Sequence, residues 1–317
     1  MVSQYQQEKE RYEKYLQSTG RRSGRQEEIR TTSLLSLQAK YAVDSKIIPQ
    51  YGLLGHHIGD DNRIGAREPI LLNMNAPNSA FICGSQGSGK SYTLTCMLEN
   101  CLMNNKETTK LTSPVAGVVF HYDQDSSAVA EAAHLRSRGI KVNVLVTRSS
   151  AATDISERYL NLPGPKDKMT IQTLMLQDRH LSVERMLKLM AFSESEGSVP
   201  LYMEVIQRIL REIAISGKKF QFDAFLQRIK KERFQPGQEV TMNMRLALLK
   251  SFMATKGTVE TKVDCFQLRP GELTIVDLSD PLMDQASACV LFDICLALFK
   301  ENRPKSGLVV TLDEAHK

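Results

Sequence analysis

Residues 80–91 read AFICGSQGSGKS. The last eight of them fit the pattern G-x-x-x-x-G-K-[ST] at every defined position. The apolar run Ala80–Cys83 predicts a strand that ends at Gly84, and the residues from Lys90 to about Asn104 predict a helix. A strand, a glycine-rich loop and a helix in this order predict a phosphate-binding loop, because such a loop presents backbone N–H groups to an anion. The alternative is a glycine-rich turn that binds nothing.

The residue types of this loop, a Walker A pattern, suit a nucleotide. Glycines let the backbone approach a phosphate closely, and the N-terminal end of the following helix is electropositive. Lys90 is expected to reach the β- and γ-phosphates of ATP, and the Ser91 hydroxyl to ligate Mg²⁺. The predicted nucleotide-binding residues are Gly84, Ser85, Gln86, Gly87, Ser88, Gly89, Lys90, Ser91 and Tyr92.

A second motif lies at the end of the sequence, where the apolar run Leu308–Leu312 is followed by two acids. In phosphate-loop enzymes an acid at such a strand end holds Mg²⁺, so Asp313 is the predicted metal residue. Glu314 is the predicted general base, which would deprotonate the attacking water. The adjacent acids, a Walker B pattern, favour an ATPase over a GTPase. By itself, an apolar run before two acids could equally be an ordinary strand exit.

The elements around these motifs alternate between strand and helix. Strands are predicted at Val115–Tyr122 and Val142–Val146, with a helix at Ser127–Gly139 between them. Further strands are predicted at Leu273–Leu278 and Leu308–Leu312. This alternation predicts an α/β protein with a mainly parallel sheet and helices on both of its faces.

Other stretches predict the domain organisation. Residues 31–49 have apolar residues at helical spacing, which predicts a docking helix, and residues 50–70 are rich in glycine and read as loop and turn. Helical patterns dominate the middle of the chain, with the clearest helix at 201–216, and another is expected at about 284–300. The predicted parts are a polar N-terminal extension at 1–50, a first part of the core at 51–149, a mostly helical insertion at 150–270, and a second part of the core at 271–317.

Three segments together resemble the HerA/FtsK group of P-loop ATPases, and more closely the uncharacterised fungal P-loop proteins related to HerA. The segments are GSQGSGKS at 84–91, VDLSD at Val276–Asp280 and LDEAHK at Leu312–Lys317. The resemblance covers roughly residues 70–317. The family often has an Asp-Pro pair after its second strand, where this chain has His121-Tyr122-Asp123 and keeps only the acid.

The resemblance implies a RecA-like core and a ring-forming ATPase that moves DNA or protein. It further implies that Lys90 and Ser91 bind phosphate and Mg²⁺, that Asp313 binds Mg²⁺, and that Glu314 activates water. The expected partners are ATP, Mg²⁺, further copies of the full-length chain, and possibly DNA. Members of this group normally have another strand after the Asp-Glu strand, whereas this sequence stops at Lys317. A truncated gene product or fragment is therefore expected, with weak ATP turnover and a tendency to aggregate.

Two alternatives to a motor remain open. One is a nucleotide-dependent switch or scaffold, which needs the same loop but no translocation. The other is a DEAH-type helicase, suggested by the DEAH string at 313–316. The long separation of that string from Lys90 argues against the helicase.

Composition sets wider limits. The 317 residues carry a net charge of +5, which permits a nucleic-acid partner without requiring one. The six cysteines form no C-x-x-C pair, no apolar stretch is long enough for a membrane span, and no secretory signal begins the chain. An intracellular protein of the cytoplasm or nucleus, with no membrane partner, is expected. His56-His57 is read as part of a polar loop, with a metal site as the alternative. The basic stretch 218–233 is read as a solvated helix face, with nucleic-acid contact as the alternative.

Overall fold

The computed structural model describes residues 24–57, 68–123, 128–151, 154–190, 201–234, 236–254 and 264–314, together with Lys9 and residues 11–13. The chain divides into two compact units, Met1–Pro114 and Val115–Lys317. Each unit contains one of the two described sheets.

The N-terminal unit is built on a four-stranded antiparallel sheet with the strand order β1-β3-β2-β4. The strands are β1 Leu34–Ser36, β2 Tyr51–His57, β3 Glu68–Asn73 and β4 Thr109–Lys110, and the helices are α1 Gly24–Thr31, α2 Leu37–Tyr41 and α3 Lys90–Leu102. Two expectations are therefore wrong. Residues 31–49 contain a strand and a five-residue helix instead of one docking helix. Within 50–70, the described positions 51–57 and 68–70 belong to strands β2 and β3 instead of a loop.

Asn100 fastens α3 to this sheet. Its amide donates hydrogen bonds to the carbonyl oxygens of Leu53 (2.9 Å) and Cys96 (3.0 Å), and its Oδ1 accepts one from Thr109 Oγ1 (2.7 Å). Gly52 permits this approach, since a Cβ there would lie 2.3 Å from Asn100 Oδ1. The helix that follows the glycine-rich loop is thus held at a fixed position on β2.

The C-terminal unit is built on a five-stranded parallel sheet with the order β7-β6-β8-β5-β9. The strands are β5 Ala116–His121, β6 Lys141–Val146, β7 Met169–Thr173, β8 Glu272–Asp277 and β9 Leu308–Asp313. The helices are α4 Arg148–Ala151, α5 Asp154–Leu160, α6 Val183–Met190, α7 Leu201–Ile215, α8 Phe222–Ile229, α9 Pro236–Ser251 and α10 Gln285–Glu301. The predicted α/β class and parallel sheet are confirmed.

Burial explains where these strands lie. Every residue of β5 is buried, as expected for a central strand of a parallel sheet, whereas β9 is the end strand of the described sheet and is partly exposed. Side chains of β5, β6 and β8 join one apolar core with helices α6 to α10. That core includes Phe120, Leu145, Met186, Ile206 and Phe299.

Two further differences from the sequence prediction concern this unit. The region 150–270 is mostly helical, but it also supplies β7, which pairs with β6 and so belongs to the sheet. The expected helix at Ser127–Gly139 is a 3₁₀ helix over Glu131–Arg138 that ends at Gly139 with φ 87°.

Arg136 closes the loop that leads to β7. The buried guanidinium donates to the carbonyl oxygens of Pro165 (2.9 Å), Leu160 (3.0 Å) and Gly164 (3.0 Å). A charged donor with several carbonyl acceptors makes stronger hydrogen bonds than neutral groups do, so this loop is firmly held.

Candidate functional site

The glycine-rich loop is a closed, exposed turn at the start of α3. The Ser88 amide donates to the Ser85 carbonyl oxygen (3.2 Å), and Gly87 and Gly89 have φ values of 77° and 86°. Left-handed backbone at two positions is readily available only to glycine, which explains the residue type there. A Cβ on Gly84 would lie 2.4 Å from Ser88 Oγ, so the two ends of the turn approach closely.

Lys90 is the first residue of α3 and bends back over the loop. Its Nζ donates to the Ser85 carbonyl oxygen at 3.1 Å, and no acidic residue lies in the first turn of the helix. A cation and the electropositive end of a helix therefore lie beside exposed backbone, without a carboxylate in that turn to repel an anion. The following residue Ser91 is half-buried, and Tyr92 is exposed.

The run before the loop differs from its prediction. Residues 80–83 form no strand, and Phe81 is 88% exposed. A four-residue apolar run becomes a strand only where a neighbouring strand satisfies its backbone, and none of the described strands pairs with it. The expected strand, loop and helix are thus reduced to a loop and a helix.

Asp313 and Glu314 lie in the other unit, at the carboxyl end of β9. Asp313 is nearly buried, with 11% of its side chain exposed. Glu314 has a φ of 54°, a left-handed conformation that non-glycine residues rarely adopt. Such backbone strain is often found at functional sites. The loop thus belongs to the N-terminal unit and the acid pair to the C-terminal unit.

Buried polar residues gather where the parallel strands end. Asp277, the last residue of β8, accepts from the Tyr159 hydroxyl (2.6 Å) and from the Ser279 amide (2.9 Å). Asp280 accepts from Thr147 Oγ1 (2.6 Å). Because ligands of open α/β sheets bind outside the carboxyl ends of the strands, this edge is the natural place for a site.

His121 ends β5 at the same edge and lies beside Asp313, its register partner on β9. Its Nδ1 is 3.3 Å from Asp313 Oδ2, and the imidazole is buried. Burial lowers its pKa, but the contact with Asp313 and the charges of Asp277 and Asp123 outweigh this, so the pKa is raised. Burial, reinforced by Asp277, also raises the pKa of Tyr159 well above its usual range.

The sequence reasoning missed two members of this edge. In the sequence His121 stands out only as a departure from the Asp-Pro pattern, although a histidine directly after a fully apolar strand is a usable signal. Tyr159 gave no signal, because it lies in an unremarkable helical stretch more than a hundred residues from Asp277 in sequence.

The weaker predictions have mixed outcomes. His56 and His57 end strand β2 and are exposed, so they do not lie in a loop, and Asp60 and Asp61 fall outside the described residues. In the basic stretch 218–233 the aromatic rings face the core: Phe220, Phe222 and Phe225 are buried. They are therefore not available for stacking on bases, whereas the cations of this stretch are exposed.

A polar cavity of about 340 Å³ opens elsewhere on the parallel sheet. Its charged groups pair with one another: Lys141 Nζ lies 3.3 Å from Glu272 Oε1, and Arg179 lies 3.2 Å from Asp264. These internal pairs favour a structural role for the cavity's charges.

Within the described part of the chain, no group of three or more His, Cys, Asp or Glu residues is arranged to hold a metal ion. None of the helices in the described ranges is long and apolar enough to cross a membrane.

Comparison with known proteins gives no assignment. No protein-family model matches the chain, and neither the curated proteins nor the solved structures contain a match to it.

Proposed function

We propose that this protein is a Mg²⁺-dependent ATPase of the HerA/FtsK type with a RecA-like core. The observation that carries the proposal is the loop at 84–91, which combines the complete sequence pattern with two left-handed glycines and with Lys90 at the start of α3. The parallel sheet that ends in Asp313 and Glu314 supports it, because this is where such enzymes place their acids.

The proposed roles follow the chemistry of each group. Backbone N–H groups of the loop bind phosphate oxygens, and Lys90 neutralises charge on the β- and γ-phosphates. The proposed Mg²⁺ residue of the loop is Ser91 and that of strand β9 is Asp313; the ion would supply further charge neutralisation at the phosphates. Glu314 accepts the proton of the attacking water.

The decisive experiment measures ATP binding and turnover in wild type, Lys90→Ala and the control Lys106→Ala. Lys106 is an exposed lysine of the same unit that lies outside the loop. We expect loss of turnover only in Lys90→Ala, because that variant removes the positive charge that neutralises the transferred phosphate. Equal turnover in the two lysine variants would overturn the proposal.

A chemical probe tests the location of the nucleotide. Cys83 precedes the loop and is exposed, and Cys289 on α10 is exposed in the other unit. Mg-ATP should slow alkylation of Cys83 and leave Cys289 unchanged. Equal labelling of Cys83 with and without Mg-ATP, in a protein that binds ATP, would place the nucleotide away from the loop.

The acid pair is tested by two isosteric changes. Glu314→Gln should keep ATP bound and slow hydrolysis by about 10²–10⁴, the usual contribution of a general base. Asp313→Asn should instead weaken Mg²⁺-dependent binding. If the Asp313 variant traps ATP and the Glu314 variant loses Mg²⁺, the two roles are reversed.

A nucleotide-dependent switch is the second candidate, and the buried phenylalanines of α8 favour it, since they remove a base-stacking surface from the basic stretch. Turnover measured with and without single- and double-stranded DNA, together with sizing, separates the two candidates. DNA stimulation and a ring support the motor, whereas turnover that ignores DNA supports the switch.

A further inference from the structure

His121 and Asp313 are neighbours on adjacent parallel strands, at the edge where the proposed chemistry takes place. Their strands pair in register from Ala116 opposite Leu308 to His121 opposite Asp313. The register brings His121 Nδ1 to 3.3 Å from Asp313 Oδ2.

The burial of His121 lowers the stability of the folded state. The residue is 4% exposed, and neither ring nitrogen makes a hydrogen bond of good geometry among the described residues, although Nδ1 lies within ion-pair distance of Asp313 Oδ2. A buried polar atom without a hydrogen-bond partner destabilises the folded state, because it loses its hydrogen bonds to water. The other residues of β5, Ala116 to Phe120, are Ala, Gly, Val, Val and Phe, so an apolar side chain would continue the strand without that cost.

Asp313 benefits from a fixed neighbour. It lies on the end strand of the described sheet, and the residue before it, Leu312, is 61% exposed. The Asp313 side chain itself is only 11% exposed, and metal-ligating carboxylates are normally oriented by a second group that contacts them. The buried imidazole is held by β5, which is paired on both sides.

We propose that His121 is a positioning residue that holds the Asp313 carboxylate in the orientation that binds Mg²⁺. The inference rests on the proposed function, since Asp313 acquires a metal only with the nucleotide. His121 itself contacts neither metal nor nucleotide in this proposal and acts through Asp313.

The test measures the affinity for Mn²⁺, a Mg²⁺ substitute visible by electron paramagnetic resonance, in the presence of a non-hydrolysable ATP analogue. Outer partners of metal ligands contribute about 10–100-fold to metal affinity, so His121→Ala should weaken Mn²⁺ binding by that factor. His121→Asn retains an N–H donor near the Nδ1 position and should recover part of the loss. His121→Phe should recover none.

His180→Ala is the matched control. His180 is also 4% exposed and lies 3.4 Å from a carboxylate, that of Asp264, but it belongs to a 3₁₀ helix away from the strand ends. Its loss should leave the Mn²⁺ affinity unchanged. A double variant, His121→Ala with Asp313→Asn, should bind Mn²⁺ no more weakly than Asp313→Asn alone.

The outcomes separate this inference from the proposed function. If wild type binds the Mn²⁺–nucleotide complex and folded His121 variants bind it equally well, the positioning role is wrong and the proposed function stands. The same conclusion follows if the effects of the two substitutions add in the double variant. If wild type binds no Mn²⁺–nucleotide complex, both are overturned.

Discussion

Tyr159 and Tyr202 are two buried tyrosines of the C-terminal unit whose hydroxyl groups have different surroundings. The Tyr159 hydroxyl donates to Asp277 Oδ2 (2.6 Å) and accepts from the Ala130 amide (3.1 Å). The Tyr202 hydroxyl has no hydrogen-bond partner among the described residues. The same change, Tyr to Phe, therefore removes two hydrogen bonds at one position and none at the other.

The structure sets the size of the expected difference. Loss of a hydrogen bond to a charged group costs about 1.5–3 kcal/mol, and the Ala130 amide left without an acceptor adds about 1–3 kcal/mol. Tyr159→Phe should therefore lower the free energy of unfolding by about 3–5 kcal/mol. Tyr202→Phe should leave it within about 0.5 kcal/mol or raise it, because that variant removes an unsatisfied polar atom.

Urea unfolding followed by circular dichroism measures both variants. With a slope of about 2 kcal/mol/M, a loss of 3 kcal/mol moves the midpoint down by about 1.5 M. The Ala130 amide should also exchange its hydrogen faster in Tyr159→Phe. Equal midpoints for the two variants would refute the reasoning.

The same hydroxyl predicts a pH dependence. Since the pKa of Tyr159 is raised, the folded protein keeps this proton above pH 10 while the unfolded chain loses it. Stability should therefore fall as the pH rises above 10, by about 1.4 kcal/mol per pH unit from this group. Tyr159→Phe removes that contribution, so the stability difference between wild type and variant should narrow above pH 10.

The remaining predictions concern packing and reactivity. Gly52→Ala should lower the free energy of unfolding by about 1–3 kcal/mol, and with it the thermal midpoint, because the new Cβ would lie 2.3 Å from Asn100. Gly55→Ala is the control and should leave the midpoint unchanged, since no atom lies within 4 Å of the Cβ position there. Arg136→Met leaves several carbonyl oxygens without their donor and should cost about 3 kcal/mol or more, with faster proteolysis of the loop that Arg136 holds. Burial raises the pKa of the partly buried Cys265 to about 11, so this thiol should react with iodoacetamide at pH 8 far more slowly than the exposed thiols Cys83 and Cys289. Equal reaction rates would contradict the raised pKa.

The parallel sheet was predictable because its signals are local. The apolar runs of β5, β6, β8 and β9 are bounded by polar residues, and each was placed to within a residue or two. Strand β7, with the sequence MTIQT, carries no such run, and its assignment depends on pairing with β6.

The antiparallel sheet was missed because its strands contain turn residues. Gly55 lies at a register shift in β2, where an extra residue interrupts the ladder. Pro69 lies in β3 one residue before the segment that pairs with β1, so its missing N–H leaves the β1–β3 ladder intact. Glycine and proline predict loops in a single sequence, and only the pairing shows that these two positions tolerate them.

The candidate site, too, is predictable from the sequence only in part. The loop residues and the acids at 313–314 are recognisable, since the chemistry dictates residue type and spacing. The contacts of His121 and Tyr159 with acids distant in sequence follow from strand order and register, which no local pattern specifies. The exposed run at 80–83 shows the converse, a strong local pattern without a partner strand.

The strand order also governs when this unit can fold during synthesis. β8 lies between β6 and β5, so these earlier strands never pair with each other and remain separated until residues 272–277 leave the ribosome. More than half of the unit is synthesised by then, and the edges of β5 and β6 that pair with β8 stay without hydrogen-bond partners until that point. We expect nascent chains that stop before β8 to depend on chaperones, and chains released after β9 to complete the sheet in one late step.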